Sequence, residues 1–187
     1  MTRKVAVIVG SLRKGSFNRR IARAAVETAP QSLSMETLEI GQLPLYNQDY
    51  DDNPPDQWVQ FRQRLQAVDA VLFVTPEYNR SIPAPLKNAL DVGSRPYGSS
   101  VWDGKPGAVI SVSPGAIGGF GANQHLRQTF VFLNIPCMQQ PEAYLGGADE
   151  GWFDADGRLT NESTRGFVQK FMDAYAVWIE TQLARTE

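Results

Sequence analysis

Short, uninterrupted apolar runs recur along the chain and alternate with segments in which apolar residues follow a helical spacing. Runs without polar alternation are typical of strands that are buried on both faces of a parallel sheet. They predict five strands, at Val5–Val9, Met35–Ile40, Ala70–Thr75, Ala108–Val112 and within residues 136–145.

The segments between these runs place their apolar side chains on one face of a helix. The first predicted helix follows residues 11–18 and ends before Pro30, and four more cover Asp56–Ala67, Leu86–Val92, Asn123–Leu133 and Thr160–Leu183, the last capped near Thr160. Strands that alternate with helices predict right-handed β-α-β units and a doubly wound parallel sheet, an α/β architecture. The remaining long segments, Leu43–Pro55 and the polar stretch Glu150–Gly157, are predicted to lie outside the regular elements.

The composition narrows the class of protein. A chain of 187 residues with 42% hydrophobic and 20% charged residues suits one globular domain over residues 1–187. A net charge of −2 gives no general attraction to nucleic acid or to anionic membranes. The chain has one cysteine, Cys137, and one histidine, His125. These numbers exclude an internal disulfide and a metal site built from several cysteines or several histidines. The sequence shows neither a signal peptide nor an apolar run of membrane-spanning length, so we expect a cytoplasmic protein.

Three loops follow the first, third and fourth predicted strands, and in a parallel sheet these loops share the edge at which ligands bind. The first loop, Gly10–Asn18, opens a helix, whose free N–H groups and dipole attract an anion. Ser11, Ser16 and Asn18 supply polar groups for phosphate oxygens, and Arg13 supplies a cation. A capped helix start with exposed charge is the alternative explanation.

The second loop, Pro76–Pro85, contains three prolines that stiffen it. Backbone groups at Glu77–Asn79 suit the polar edge of a planar heteroaromatic ring, and Tyr78 suits an aromatic wall beside that ring. Glu77 has no second acid or base within the motif, which argues against acid–base catalysis. Ordinary surface polarity is the alternative for three residues of the following helix, Lys87, Asn88 and Asp91.

The third loop, Gly115–Gly121, carries four glycines, which allow backbone to approach a ligand closely. A flexible turn between a strand and a helix explains the same glycines. The position of this loop, at the same predicted edge as the other two, favours a shared ligand site.

The motifs of these loops resemble those of the NADPH-dependent FMN reductase family, which includes bacterial quinone and chromate reductases and some azoreductases. The resemblance rests on Gly10-Ser11-Leu12-Arg13 with Ser16 and Asn18, and on Pro76-Glu77-Tyr78-Asn79 followed by Leu86-Lys87-Asn88-Ala89. It implies a flavodoxin-like, three-layer α/β/α fold with a five-stranded parallel sheet in the order 2-1-3-4-5. It also implies one FMN per subunit in a homodimer or homotetramer. Many relatives have an aromatic residue where this chain has Val92.

The resemblance further implies roles for individual residues. The phosphate of FMN is expected at Ser11, Arg13, Ser16, Phe17 and Asn18. The isoalloxazine ring is expected along Pro76, Glu77, Tyr78 and Asn79, and the flavin is expected to border Ser113, Gly115 and Gly118.

The activity implied is a ping-pong reaction. NADPH or NADH reduces FMN, and a small-molecule acceptor of the quinone, chromate or azo class then takes two electrons. Because the cofactor carries the chemistry, no side chain is assigned as catalytic. Tyr78 and Arg80 are candidates for the acceptor pocket. A flavodoxin-like electron carrier and a non-enzymatic flavin-binding module remain open, since one fold hosts many functions.

Overall fold

The computed structural model describes residues 1–185 and contains a five-stranded, all-parallel sheet in the order β2-β1-β3-β4-β5. The strands are β1 (Arg3–Val9), β2 (Leu33–Leu38), β3 (Ala70–Thr75), β4 (Gly107–Ser113) and β5 (Ala143–Gly146). The helices are α1 (Phe17–Thr28), α2 (Asp56–Gln66), α3 (Ala84–Gly93), α4 (Phe120–Leu133) and α5 (Glu162–Leu183). This confirms the predicted α/β class and the flavodoxin-like strand order.

Two apolar cores lie on opposite faces of the sheet. Val5 and Val7 of β1 point into a core that α1 and α5 cover, whereas Ala6 and Ile8 point into a core that α2, α3 and α4 cover. The central strands are therefore buried on both faces, which explains their unbroken apolar runs. Among residues 1–185, no helix combines the length and apolar character needed to cross a membrane.

Several predicted element boundaries were displaced, among them the starts of β1, β2 and α4. Strand β2 begins and ends two residues before the predicted Met35–Ile40, because its parallel pairing with β1 starts at Arg3 opposite Leu33. The cap predicted near Thr160 lies one residue later: Asn161 caps α5 by accepting from the backbone N–H of Thr164 at 3.0 Å. The hydroxyl of Thr160 instead donates to a backbone carbonyl in the preceding turn.

The polar stretch Glu150–Gly157 supports the start of α1. Phe153 is buried and stacks on Phe17, with ring centroids 5.8 Å apart and planes 5° apart. The guanidinium of Arg20 lies 5.1 Å from the centroid of the Phe153 ring and forms an ion pair with Glu150 at 2.6 Å. This segment therefore holds the N-terminal end of α1, directly after the first loop, in place.

Asn88 corrects an interpretation drawn from the sequence. It is buried on α3, donates to the carbonyls of Leu43 and Pro44, and accepts from the backbone N–H of Tyr46 at 2.8 Å. Surface polarity was thus the wrong explanation for Asn88, because its amide ties the segment after β2 to α3. Lys87 and Asp91 do form an exposed ion pair on that helix.

Candidate functional site

Three loops meet at the carboxyl edge of the sheet, at residues 10–16, 76–83 and 114–119. They leave β1, β3 and β4, which are direct neighbours in the sheet. The N–H of Gly10 donates to the carbonyl of Val74 at 2.9 Å, so the first loop departs beside the end of β3. The strand order therefore brings the three sequence motifs to one edge.

The first loop offers a row of unused backbone donors. From Ser11 to Asn18, no backbone N–H donates to an acceptor within residues 1–185. Ser16 caps α1 by accepting from the N–H of Arg19 at 3.4 Å. Consecutive free N–H groups at a helix start suit an anion such as phosphate.

Two cations accompany these donors. Arg13 donates to the carbonyl of Gly15 at 2.9 Å and lies 5.8 Å from the centroid of the Phe17 ring. Neither Arg13 nor the neighbouring Lys14 pairs with a carboxylate in the described part of the chain. The loop thus has uncompensated positive charge, which fits the phosphate of FMN.

Asn18 holds a buried acceptor without a donor. The residue is 5% exposed, its amide nitrogen lies 3.5 Å from the carbonyl oxygen of Val112, and its Oδ1 has no partner within residues 1–185. A buried unpaired carbonyl oxygen is costly in a protein interior. The hydroxyl groups of a ribityl chain are donors of the kind it lacks, so Asn18 also fits the expected cofactor.

The second loop contains a tight hairpin. Tyr78 and Ser81 exchange two backbone hydrogen bonds of 2.9 Å each, and the turn residues Asn79 and Arg80 have φ of 51° and 65°. Positive φ at both positions is the geometry of a type I′ turn, which costs a residue such as arginine about 1–2 kcal/mol. The prediction of free backbone groups at Glu77–Asn79 is thus wrong for Tyr78, because the hairpin uses both of its groups.

The carboxylate of Glu77 connects the second loop to α4. Its side chain is only 11% exposed, and Oε1 lies 3.2 Å from Nη1 of Arg80. Oε2 accepts from the backbone N–H of Ala122 at 3.2 Å. A Cβ at Gly121 would lie 2.8 Å from the backbone carbonyl oxygen of Arg80 and 2.9 Å from Oε2 of Glu77, so glycine at this position allows the hairpin to approach α4 closely. Sequence reasoning missed this contact, for which Gly121 at the start of the helix was the available signal.

The third loop is shaped by β5. Gly118 has φ of 60°, and a Cβ there would lie 2.5 Å from the carbonyl carbon of Tyr144. Packing against β5 therefore explains this glycine without a ligand. A Cβ at Gly115 would meet only Oγ of Ser113, at 3.4 Å, so nothing in the fold requires glycine at that position. Ser113 accepts from the N–H of Gly115 at 3.1 Å.

Large apolar side chains from all three loop regions remain exposed at this edge. Their exposed fractions lie between 43% and 55%, and the residues are Leu12, Tyr78, Ile117 and Phe120. Except for Tyr78, the sequence motifs did not indicate them. Exposed apolar side chains beside polar donors are the surroundings that a flat heteroaromatic ring requires.

Two titratable groups have shifted pKa values. Burial, aided by a hydrogen bond to Glu142, raises the pKa of Tyr144 to about 12, and its ring lies 5.2 Å from that of Phe120. Burial also raises the pKa of the Cys137 thiol. Cys137 pairs with Gly107 at the amino end of β4, so the thiol lies at the opposite edge of the sheet from the three loops.

Comparisons with known proteins agree with this geometry. Residues 3–150 match the family model for NADPH-dependent FMN reductase. A quinone reductase of Pseudomonas putida is 61% identical over 181 residues, which cover 96% of each chain. A 2-hydroxy-1,4-benzoquinone reductase of a Burkholderia species is 51% identical over 179 residues, covering 96% of this chain and 97% of that protein.

One solved structure is similar over nearly the whole length. FerB of Paracoccus denitrificans, a flavoenzyme NAD(P)H:(acceptor) oxidoreductase, superposes with a TM-score of 0.91 at 42% identity. The superposition covers 97% of this chain and 99% of that one.

Proposed function

This chain belongs to the NADPH-dependent FMN reductase family, and we propose that it is an FMN-dependent NAD(P)H:quinone oxidoreductase. The observation that carries the proposal is a row of backbone N–H groups, from Ser11 to Asn18, that have no acceptor within residues 1–185 and lie beside two cations without a carboxylate partner in the same residues. When bound, FMN takes two electrons from a reduced nicotinamide nucleotide and passes them to an acceptor.

The first loop is proposed to hold the phosphate and the ribityl chain. Backbone N–H groups, the hydroxyls of Ser11 and Ser16 and the guanidinium of Arg13 bind phosphate oxygens. Phe17, stacked on Phe153, keeps the first turn of α1 in place. Asn18 offers its Oδ1, which has no partner within residues 1–185, to a hydroxyl.

The second and third loops are proposed to surround the ring. Pro76 and Glu77 lead into the hairpin, where Tyr78 presents an exposed ring and Asn79 has an N–H without an acceptor in residues 1–185. The third loop is proposed to border the flavin through three residues, Ser113, Gly115 and Gly118. No side chain is assigned as a general acid or base.

The acceptor is proposed to be a quinone, in line with the names of the two curated relatives. Tyr78 and Arg80 are exposed next to the proposed ring position and line the acceptor side. We propose a ping-pong order, because a flat acceptor and a nicotinamide would use the same open face. Chromate and azo compounds are further candidate acceptors.

The visible spectrum of the purified protein tests the function. We expect flavin absorbance after addition of FMN, bleaching by NADPH or NADH without oxygen, and recovery when a benzoquinone is added. Bands that persist with both nucleotides would point to an electron carrier that needs a partner reductase. Absence of flavin bands after reconstitution would reject the proposal.

We also propose a homodimer or homotetramer of single-domain chains, located in the cytoplasm. Exposed apolar side chains support an assembly, and several lie outside the candidate site, among them Tyr97, Val131 and Phe132. Patches of this kind often mark protein interfaces. Sedimentation equilibrium would determine the assembly, and cell fractionation would determine the location.

A further inference from the structure

We propose that Glu77 is a positioning residue whose carboxylate holds the Tyr78–Ser81 hairpin on the first turn of α4 and sets the charge beside the cofactor. The inference rests on the proposed function, because the hairpin is where the flavin ring is assigned. It extends that function by giving a role to a side chain that touches neither substrate nor reacting atoms.

The hairpin is attached to α4 at three points. Oε2 of Glu77 accepts from the N–H of Ala122 at 3.2 Å, and Oγ of Ser81 lies 2.9 Å from Nδ1 of His125. The carbonyl of Arg80 lies so close to Gly121 that a Cβ there would be 2.8 Å from its oxygen. Among these three contacts, the hydrogen bond that Glu77 accepts places a charged group at the N-terminal end of α4.

Glu77 supplies what the sequence of α4 lacks. The N-cap residue is Gly119, which has no side chain to accept from the free N–H groups, and the first turn contains no acidic residue. A carboxylate near a helix N-terminus is stabilised by the free N–H groups and by the dipole. Glu77 therefore performs the capping role from a different loop.

The same carboxylate compensates strain in the hairpin. Arg80 has a positive φ of 65°, a conformation that is unfavourable for arginine. Strained turns persist only where the surrounding structure holds them. Oε1 of Glu77 lies 3.2 Å from Nη1 of Arg80, so the carboxylate binds the side chain of the strained residue.

Removal of the negative charge has an electrostatic consequence. The positive end of α4 and the guanidinium of Arg80 would then be uncompensated beside the proposed ring. Since reduction adds negative charge to a flavin, its midpoint potential should rise. A residue that contributed only to folding would leave this potential unchanged.

Two variants separate the hydrogen bond from the charge. Glu77→Gln keeps an oxygen that can accept from Ala122 but removes the charge, whereas Glu77→Ala removes both. Glu180→Gln is the matched control, because it also breaks an arginine–glutamate pair, with Arg3 at the amino end of β1. Amide hydrogen exchange is measured on each variant without cofactor. Titration with FMN then gives the FMN affinity, and a redox titration of the FMN-loaded protein gives the midpoint potential.

In Glu77→Ala, we expect the amide hydrogens of Tyr78 and Ser81 to exchange with solvent about tenfold faster than in the wild type. We also expect this variant to bind FMN about tenfold more weakly. Glu77→Gln should keep slow exchange yet share the more positive potential, and Glu180→Gln should match the wild type. The proposal would be overturned if Glu77→Ala kept the wild-type exchange rates or the wild-type FMN affinity. It would also be overturned if Glu77→Gln kept the wild-type midpoint potential. Failure of the wild-type protein to bind FMN would instead reject the proposed function.

Discussion

The side-chain amide of Asn18, in the first turn of α1, reaches the carbonyl of Val112 near the carboxyl end of β4, at 3.5 Å. This contact joins the start of α1, which follows β1, to β4, which lies two strands away from β1 in the sheet. It also orients Oδ1 of Asn18 as a buried acceptor that no group in residues 1–185 satisfies.

Substitution Asn18→Leu should therefore separate cofactor binding from folding. We expect FMN affinity to fall about tenfold, since a ligand hydroxyl loses its acceptor. The free energy of unfolding without FMN should change by less than about 1 kcal/mol, because removal of an unsatisfied oxygen offsets loss of a long hydrogen bond. FMN fluorescence titration and urea unfolding give the two values, and undiminished FMN affinity would contradict the assignment.

Arg13→Ala should weaken FMN binding by about 1.5–3 kcal/mol, the scale of a hydrogen bond to a charged group. The effect should shrink at high salt, because Arg13 is exposed and its attraction for phosphate is screened. Arg23→Ala is the control, since Arg23 lies on α1, the helix that follows the loop of Arg13, and forms an ion pair with Glu27. Equal FMN affinity in the two variants would show that Arg13 does not hold the phosphate.

Gly118→Ala should destabilise the protein more than Gly147→Ala. Both glycines have positive φ, 60° and 72°, so both variants carry a backbone cost of about 1–2 kcal/mol. Only at Gly118 does the added Cβ also collide with backbone, 2.5 Å from the carbonyl carbon of Tyr144. Urea unfolding of the two variants measures the difference, and equal losses would mean that the third loop moves freely away from β5.

Tyr175→Phe should lower the free energy of unfolding by about 1–2 kcal/mol. The buried hydroxyl of Tyr175 lies 2.7 Å from the carbonyl of Val71 and 3.2 Å from that of Pro106, and phenylalanine leaves both without this donor. Tyr97→Phe, at an exposed residue, is expected to have no effect. Loss of stability in both variants alike would assign the effect to something other than these hydrogen bonds.

Stability should also depend on Tyr144 at alkaline pH. Its pKa is raised from 10.0 to about 12, so the folded state holds this proton more tightly than the unfolded chain. The contribution is complete below pH 10 and is lost as the pH rises to 12. We expect Tyr144→Phe to show a smaller decline in unfolding free energy over that interval. Parallel declines in the wild type and the variant would exclude a raised pKa.

The sequence was sufficient for features that depend on near neighbours in the chain. Unbroken apolar runs indicated β1, β3 and β4, because a strand that is buried on both faces of the sheet carries apolar side chains on both. The edge strand β2 has exposed residues along its length, and its bounds were displaced by two residues because pairing with β1 sets them.

Within the candidate site, the sequence located the loops but not their contacts. The motif around Tyr78 suggested a flavin-facing loop, whereas the hairpin that uses the backbone groups of Tyr78 appeared only in the structure. Phe17 was assigned to the phosphate loop by resemblance, and its stacking on Phe153 was not foreseen. Asn88 was interpreted as surface polarity although it is buried.

By itself, the sequence determined which segments form strands and helices, and which loops share an edge of the sheet, because local periodicity and the alternation of elements decide these. The tertiary structure alone decided which distant groups meet. Glu77 and Ala122 are 45 positions apart, and Asn18 and Val112 are 94 apart. Such pairs depend on the order and register of strands between them, which fix distances in space that no local pattern encodes.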